Sequence, residues 1–359
     1  MRGRPPRVLH ALHEVAGQLS TIAEAQRALG VRSEVIVSSS HALNYKYDLN
    51  LNLNEKPTMI KAITLIANFV KCFAKYDVFH FHFGTSLLPF YLDLPILKLF
   101  RKKIVMHYWG SEVRQMDIAA NYTRLAKEKF EEDNDDAKRR RIRTVSKYAN
   151  ALVVGDYPLL PYVPNSLVIE KSVDLTKYRF AGCGTNNDRI RIVHAPSNRK
   201  GKGTKYVLPV IRRLKEEGYN IDFVLVENKP HEEALEIYRE ADIVIDQLLS
   251  ETYGVFAVEC MALGKPVLCR IDKAFVKCYP GLPILNTNRD NLYDNVKLLI
   301  ENPDLRKKLG ADGRKYVRRM HDSRTIARQT IELYKCLWTR ASFSSKPSKA
   351  YGTPCSLLS

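Results

Sequence analysis

The stretch ETYGVFAVE places two acidic residues, Glu251 and Glu259, on either side of an apparent helix start. The N–H groups of a first helical turn have no partner within the helix, and with the helix dipole they bind anions. Here those groups follow Tyr253 and belong to Gly254, Val255 and Phe256. Because carboxylates accept hydrogen bonds from hydroxyl groups, the pattern predicts an anion with hydroxyl groups on both sides of it.

A nucleotide sugar has this chemistry, because its diphosphate lies between a sugar and a ribose. In this interpretation Glu251 accepts hydrogen bonds from hydroxyl groups of the sugar, and Glu259 from those of the ribose. Eight residues span roughly 12 Å when wholly helical, which suits a diphosphate between the two acids. Each acid also has a structural interpretation. Glu251 could be a favourable charge at a helix start, contributing about 0.3–1 kcal/mol, and Glu259 could form a buried ion pair with Lys or Arg.

A basic loop, SNRKGKGT, directly follows the apolar run IRIVHAP. Arg199, Lys200 and Lys202 can neutralise phosphate oxygens, while Gly201 and Gly203 let the backbone approach a ligand closely. Taken alone, the loop is equally well interpreted as a solvated basic turn. Its position after an apolar run, together with the acidic pair, favours a phosphate site at the carboxyl end of a strand.

Short apolar runs rich in β-branched residues alternate with helix-like stretches in two successive parts of the chain. The first series of runs is 7–12, 34–39, 77–82, 103–108 and 151–156, and the second is 190–196, 222–227, 242–248 and 266–271. This alternation is typical of parallel sheets with helices on both faces. We therefore predict an α/β protein of two doubly wound, Rossmann-like domains that face a cleft.

The composition is that of a folded protein, with 359 residues, 45% hydrophobic and 27% charged. The most apolar helix-like stretch, IKAITLIANFVKCFAK, has only nine residues between Lys61 and Lys71, and a spanning helix needs roughly 20. The N-terminus has too short an apolar core for a signal peptide. The seven cysteines have no metal-site spacing. We expect a cytoplasmic protein.

The net charge of +18 indicates an anionic partner. The candidates are nucleic acid, anionic lipid and a phosphorylated substrate. The first 170 residues carry 24 basic and 17 acidic side chains, and the remainder carry 33 and 22, so the excess is spread over the chain. No aromatic-and-basic RNA signature accompanies it. Nucleic acid is therefore the least favoured of these partners.

At these residues the sequence resembles a known family, the retaining glycosyltransferases of the GT-B fold. ETYGVFAVECMALGKPV is similar to the family signature of two Glu residues with seven residues between them, an Ala/Met-rich helix and a Gly-x-Pro strand. HAPSNRKGKGTKYVLPVIRRL resembles the family's basic loop, and ENPDLRKKLGADGRKYV its closing helices. In the first half, HEVAGQLSTIAEAQRALG resembles the opening glycine loop, and KIVMHYWGSEVR the segment with an active-site His.

The resemblance implies a role for each matched residue. Arg199 and Lys202 match the pair that holds the donor diphosphate, at a closer spacing than in many members, so Lys200 remains an alternative to Lys202. Glu251 matches the residue that contacts the donor sugar, and Glu259 the residue that contacts the ribose.

Two residues of the first half are matched in the same way. His107 resembles the active-site His that faces the transferred sugar, with a buried strand-end His as the structural alternative. Gly17 resembles the opening loop, whose backbone contacts the leaving phosphate, although Ala16 stands where many members have a second glycine.

The resemblance also implies the reaction, which is glycosyl transfer from a nucleoside diphosphate sugar to an acceptor hydroxyl with retention of configuration. Departure and attack would occur on the same face, with the phosphate taking the acceptor proton. Arg199, Lys202 and the helix start would offset the charge of the departing diphosphate. We therefore expect neither a metal nor a cofactor.

The predicted organisation has five parts. These are an acceptor-binding domain over 1–170, a linker over 171–188, a nucleotide-sugar-binding domain over 189–320, a C-terminal helix over 321–338 that could pack back on the first domain, and a disordered tail over 339–359. Variable segments at 41–57 and 112–129 are candidates to shape the acceptor site.

The partners expected are a nucleotide-sugar donor and a glycan or lipid-linked acceptor, in polysaccharide or glycolipid biosynthesis. The basic charge also admits peripheral association with the inner face of an anionic membrane. Two alternatives stay open, a nucleotide-sugar epimerase on the same fold and a non-catalytic basic binding protein. The sequence leaves the donor base, the sugar and the linkage undetermined.

Overall fold

A computed structural model describes residues 5–40, 44–122, 134–183 and 189–339. Parts of the two candidate acceptor segments (41–43 and 123–129), the end of the predicted linker and the predicted tail from residue 340 lie outside the described residues. The chain divides into two compact units. The first contains residues 5–40, 44–115, 134–174 and 323–339 of the described part, and the second contains 116–122, 175–183 and 189–322.

The first unit is built on a seven-stranded parallel sheet with the strand order β3-β2-β1-β4-β5-β6-β7. Its strands are β1 (Arg7–Leu12), β2 (Arg32–Val37), β3 (Leu49–Asn50), β4 (Val78–His82), β5 (Lys103–Tyr108), β6 (Ala151–Val154) and β7 (Leu167–Val168). Val, Ile, Leu and Phe residues dominate the central strands, as expected where both faces are covered. The apolar runs of the sequence correspond to these central strands.

Helices cover this sheet and contribute to its core. They are α1 (Gln18–Ala28), α2 (Thr58–Lys75), α3 (Asp93–Leu99), α5 (Asp135–Tyr148) and α12 (Ser323–Thr339). The last helix joins this unit although it ends the described chain, because Ile326, Leu333 and Tyr334 are buried in one cluster with Val8 and Ile22.

The second unit is built on a five-stranded parallel sheet with the strand order β12-β11-β10-β8-β9. Its strands are β8 (Ile190–His194), β9 (Ile221–Leu225), β10 (Ile243–Ile245), β11 (Val267–Cys269) and β12 (Leu285–Asn286). Its helices are α6 (Arg199–Lys202), α7 (Thr204–Glu216), α8 (His231–Arg239), α9 (Val255–Ala262), α10 (Leu292–Glu301) and α11 (Pro303–Met320), and α4 (Met116–Tyr122) groups with this unit. Ile192, Ile211, Ile243 and Leu292 belong to its buried core.

The predicted α/β class and the two doubly wound sheets are therefore confirmed. The sequence missed β3, β7 and β12, because a two-residue edge strand has no periodicity to detect. Within the described part of the chain, no helix is long and apolar enough to span a bilayer.

Candidate active site

The basic loop lies at the carboxyl end of β8, as predicted. The Asn198 side chain caps α6 by accepting a 2.8 Å hydrogen bond from the Gly201 N–H. Gly203 follows at a φ of 82°, a left-handed conformation that favours glycine, and links α6 to α7. The cap and the glycine together fix the turn that presents Arg199 and Lys202.

Each of these two cations contacts a carboxylate in this structure. The exposed guanidinium of Arg199 forms a bidentate pair with Glu227, at 2.8 Å from Nε to Oε1 and 2.5 Å from Nη2 to Oε2. Lys202 is less exposed, and its Nζ donates to Asp246 Oδ1 at 3.0 Å and to Gln247 Oε1 at 2.7 Å. The exposed Lys200 side chain remains the alternative diphosphate contact.

Asp246 joins the basic loop to the start of α9. While its Oδ1 accepts from Lys202, its Oδ2 accepts from the Gly254 N–H at 2.9 Å. The Gly254 N–H is therefore already bonded, and the predicted anion contact would fall mainly on the N–H groups of Val255 and Phe256. Sequence reasoning missed Asp246, although a charged residue that ends a buried strand was a signal for it.

The α9 helix begins at Val255, with Gly254 as its N-cap, as the sequence predicted. Glu251 precedes this start and is 2% exposed, and Glu259 lies on the helix at 7%. The helix ends before Gly264, whose φ is 81° and where an added Cβ would meet the Phe180 ring at 2.3 Å. The two acids therefore bracket the helix start as expected, but both side chains are buried in this structure.

Glu259 has two partners that were not predicted for it. Its Oε1 lies 2.7 Å from the Tyr178 hydroxyl, which donates to it, and 2.7 Å from Nε2 of His231. The structural alternative of an ion pair with Lys or Arg is thus replaced by a pair with His231. Burial alone would lower the pKa of His231, but the hydrogen bond to Glu259 and its charge hold that pKa above the ordinary value.

The Tyr253 side chain points into the second unit's core rather than towards solvent. Its hydroxyl lies 3.0 Å from Nε2 of the buried His321, and its ring meets Tyr279 edge-on. The Phe256 ring packs on Tyr238 with centroids 4.7 Å apart. These two side chains position the loop, and a donor contact from Tyr253 would have to come from its backbone.

In the first unit, Gly17 is the N-cap of α1 with a φ of 75°. The carboxylate of Glu14 accepts hydrogen bonds from the N–H groups of Val15, Leu19 and Ser20 at 2.8 to 3.3 Å. The first turn of α1 is therefore occupied by a carboxylate of the chain itself, where the leaving phosphate was predicted. Burial raises the pKa of Glu14 to about 7, although these N–H groups oppose the rise.

His107 lies near the carboxyl end of β5 and is fully buried. Its ring stacks on Trp109 with centroids 4.0 Å apart, and it is the register partner of His82 on β4. By strict hydrogen-bond geometry neither ring nitrogen has a partner among the described residues, although the Ile169 backbone interacts with the ring and opposes the lowering of its pKa. Burial lowers the pKa of His107 to about 3, and nearby His10 adds to the effect. The side chain is thus a neutral imidazole, and its predicted contact with the sugar stays a prediction.

Hydrogen bonds fix the tautomers of the histidines beside it. The Trp109 Nε1–H can only donate, and its acceptor is His82 Nδ1 at 3.2 Å. The His82 proton is therefore on Nε2 and is donated to His10 Nδ1 at 3.0 Å. In turn, His10 Nε2 donates to Gln26 Oε1 at 3.0 Å.

This hydrogen-bond chain bears on whether the histidines could hold a metal. Ligand atoms of His10, His80 and His82 lie within 4.8 Å of one another. A metal on His82 Nε2 would move the His82 proton to Nδ1, where the Trp109 N–H already points. The surrounding donors therefore fit a proton network better than a metal.

Residues 201–316 match the family model described as glycosyl transferases group 1, and they include Lys202, Asp246 and the whole of α9. An uncharacterised glycosyltransferase from Methanocaldococcus jannaschii is 30% identical over 96 residues, which are 26% of this chain and 27% of that protein. The alignment therefore spans about a quarter of this curated relative.

Solved structures resemble the chain over nearly its full length. A sucrose-phosphate synthase from Thermosynechococcus elongatus has a TM-score of 0.63 at 16% identity, covering 94% of this chain and all of that one. Anabaena Alr3699/HepE, in complex with UDP-glucose, has a TM-score of 0.59 at 12% identity, covering 92% and 99%. A putative UDP-N-acetylglucosamine 2-epimerase from Listeria monocytogenes has a TM-score of 0.53 at 11% identity, covering 95% and 98%.

At such identities the structural likeness shows the fold alone, and that fold is the GT-B type expected from the signature. The sequence match covers Lys202, Glu251 and Glu259 but begins after Arg199 and Lys200. Over residues 201–316, the chain is similar to the glycosyl transferases group 1 family.

Proposed function

We propose that the protein transfers a sugar from a nucleoside diphosphate sugar to an acceptor hydroxyl group with retention of configuration. The observation that carries this proposal is the bridge made by Asp246, which binds Lys202 through one oxygen and the Gly254 N–H through the other. A cation and a helix start are thereby held side by side, and both attract phosphate. The family match supplies the reaction class.

The donor diphosphate is proposed to displace the carboxylate partner of at least one cation. Arg199 is exposed and paired with Glu227, so its guanidinium can turn from that carboxylate to a phosphate without opening the core. Lys202 is held by a buried carboxylate and contributes as a fixed charge near the α9 start. The names of two fold neighbours, which mention UDP-glucose and UDP-N-acetylglucosamine, support a nucleotide sugar as the donor.

In the proposed reaction, the bond between the anomeric carbon and the diphosphate oxygen breaks as the acceptor oxygen attacks on the same face. The leaving diphosphate takes the acceptor proton. Arg199, Lys202 and the first N–H groups of α9 offset the charge that grows on the diphosphate, which is where preorganised donors lower a barrier most. We expect this to occur without a metal.

Three further residues keep their predicted roles within this proposal. Glu251 binds hydroxyl groups of the donor sugar, and Glu259 binds those of the ribose with its carboxylate oriented by Tyr178 and His231. His107, neutral because it is buried, contacts the transferred sugar as a hydrogen-bonding group rather than as a cation.

Thermal unfolding with UDP, GDP, ADP and their sugars tests the donor site. A nucleotide present at 100 times its dissociation constant should add about 2.7 kcal/mol to the free energy of unfolding. Lys202→Ala should lose most of this gain, whereas Lys215→Ala, at the far end of α7, should keep it. Lys200→Ala measured alongside decides which lysine holds the diphosphate. The absence of any nucleotide effect on the wild type would reject the proposal.

An epimerase is the second candidate, because the Listeria neighbour of the same fold bears that name. An epimerase converts the donor without an acceptor, so proton NMR of each nucleotide sugar incubated with the protein alone separates the two. A new nucleotide sugar would indicate epimerisation. A non-catalytic basic protein would instead bind nucleic acid and show no response to nucleotide sugars.

The acceptor and the place of action complete the proposal. We propose a glycan or lipid-linked acceptor, in polysaccharide or glycolipid biosynthesis, at the inner face of an anionic membrane. The net charge of +18 supports this setting, since each basic residue near an anionic surface contributes about 1 kcal/mol.

A further inference from the structure

Helix α2 of the first unit is apolar but largely exposed. In its 18 residues only Phe69 and Cys72 are buried. Met59, Ile63, Ile66 and Val70 are each between 56% and 77% exposed. At 3.6 residues per turn these four side chains fall within about 60° of one another around the helix. They form a continuous exposed stripe, called here the α2 stripe.

A cavity of about 640 Å³ lies beside this helix, within the first unit. Its apolar wall includes Leu12, Leu65 of α2, Leu87 and Phe90. One side is formed by Ala137, Arg140, Arg141 and Thr144, which share one face of α5. Its size is typical of a small-molecule site, and an apolar wall with a few charged groups is typical of one as well.

The loop at the mouth of the cavity holds an aromatic side chain out in solvent. Phe90 is 89% exposed, and both Phe90 and Tyr91 have a positive φ, at 55° and 62°. The buried Asp93 fixes this loop by accepting from the Ser86 hydroxyl at 2.7 Å and from the Leu87 N–H at 2.9 Å. The exposure of Phe90 is therefore built into the fold.

The charge around the cavity and the α2 stripe is positive. Residues 55–112 contain eight Lys and Arg residues and four acids, Glu55, Asp77, Asp93 and Glu112. Asp93 is buried, and Asp77 is paired with Arg7. At the cavity itself, neither Arg140 nor Arg141 is paired with a carboxylate among the described residues. The apolar wall of the cavity, which also contains Arg140 and Arg141, matches an amphipathic anion.

We propose that this cavity binds the phosphate group and adjoining chain of a membrane-embedded lipid phosphate, with the α2 stripe lying in the membrane surface. Arg140 and Arg141 hold the phosphate, and Leu65 and Phe90 contact the chain. The role of this lipid as carrier of the acceptor rests on the proposed glycosyl transfer, but its binding does not.

The composition of α2 agrees with this arrangement. An amphipathic helix on a bilayer buries its apolar face in the headgroup boundary, and the α2 stripe supplies that face without any acid in the helix. A free phosphate would use the arginines but would leave the stripe and Phe90 in water. A lipid phosphate would pair its phosphate with the arginines and would place the stripe and Phe90 in an apolar environment.

Vesicle binding tests the proposal without any nucleotide. The probes are vesicles of phosphatidylcholine with either phosphatidylglycerol or polyprenyl phosphate, matched in surface charge. The wild type should bind both and should bind the polyprenyl phosphate vesicles more tightly. Ile63→Asp with Ile66→Asp should abolish binding to both, whereas Leu298→Asp, an exposed position on α10, should change neither. Unchanged binding by the stripe variant would overturn the proposal.

The arginines are tested by Arg140→Gln with Arg141→Gln. Binding to polyprenyl phosphate vesicles should weaken about 30-fold, given about 1 kcal/mol per basic residue. The double substitution should weaken binding to polyprenyl phosphate vesicles more than it weakens binding to phosphatidylglycerol vesicles. Arg143→Gln, on another face of α5, is the matched control. Equal binding of the wild type to both vesicles, or competition by inorganic phosphate alone, would overturn the lipid assignment.

Failure here and failure of the proposed function are distinguishable. A protein that binds these vesicles but shows no thermal response to nucleotides refutes the transferase alone. A protein that responds to nucleotides but ignores vesicles refutes the lipid site alone.

Discussion

The imidazole Nε2 of His231 lies 2.7 Å from Oε1 of Glu259, inside the second unit. His231 begins α8 and Glu259 lies on α9, so the pair ties together two helices that flank the predicted ribose site. Because Glu259 raises the pKa of His231, the charged pair contributes most to stability below the ordinary His pKa. This contribution is lost as pH rises through the raised pKa.

Glu259→Gln should therefore destabilise the protein more at pH 6 than at pH 8. The amide keeps the shape of the side chain but removes the charge that favours protonated His231. Thermal unfolding of both proteins across this range measures the difference. A constant difference at all pH values would show that His231 is not charged in the wild type. His231→Gln should give the same pH trend, which makes it the matched control.

Glu14 is a second group through which stability falls as pH rises. Its pKa in the folded protein is about 7, above the ordinary 4.5, so the folded state holds a proton that the unfolded state has lost between these values. Stability should therefore fall as pH rises from about 4.5 to 7. Glu14→Gln should remove this fall. Relative to the wild type, the free energy of unfolding of the variant should therefore rise between pH 4.5 and pH 8 by on the order of 1–3 kcal/mol.

The comparison for Glu14 has to be between the variant and the wild type at each pH. Burial also raises the pKa of Glu170 to about 7, so the wild-type curve contains both effects. Urea unfolding at several pH values gives the difference that belongs to Glu14. Parallel curves for the two proteins would contradict a buried, protonated Glu14.

Asp246→Asn should weaken nucleotide binding by tenfold or more, because Lys202 loses the charge that orients it and the Gly254 N–H loses its carboxylate. Asp242 is the matched control, since it is also buried and lies at the other end of β10, where it accepts from the Arg191 N–H. Asp242→Asn should cost stability but leave nucleotide affinity unchanged. Isothermal calorimetry with the nucleotide that stabilises the wild type most measures the affinity of both variants. Equal affinities of Asp246→Asn and the wild type would contradict the role given to Asp246.

The central strands of both units and most of their longer helices could be predicted from the sequence, because the spacing of apolar residues and the β-branched residues specify them locally. The short helices α3, α4 and α6 could not. RVLHAL and KIVMHY match β1 and β5 residue for residue. The position of Gly254 before α9 was also predictable, since a glycine ahead of an apolar helical run marks a start.

The partners of the site residues could not be predicted in this way. Glu227 meets Arg199 from 28 residues away, and Tyr178 meets Glu259 from 81 residues away. Such pairs depend on the order of strands in the sheet, which spacing along the chain does not encode. The Glu14 cap on α1 is local, yet it was missed because the loop was interpreted as a ligand contact.

Gly17→Ala should destabilise the first unit through two separate effects. The left-handed backbone at a φ of 75° disfavours any Cβ, and the added Cβ would also meet the Tyr45 ring at 3.1 Å. Gly30 has a φ of 83° with nothing within 4 Å, so Gly30→Ala isolates the backbone cost of about 1 kcal/mol. Urea unfolding should show a larger loss for Gly17→Ala. Adding Tyr45→Ala should reduce that loss to the Gly30 value, and no reduction would mean that crowding by Tyr45 contributes nothing.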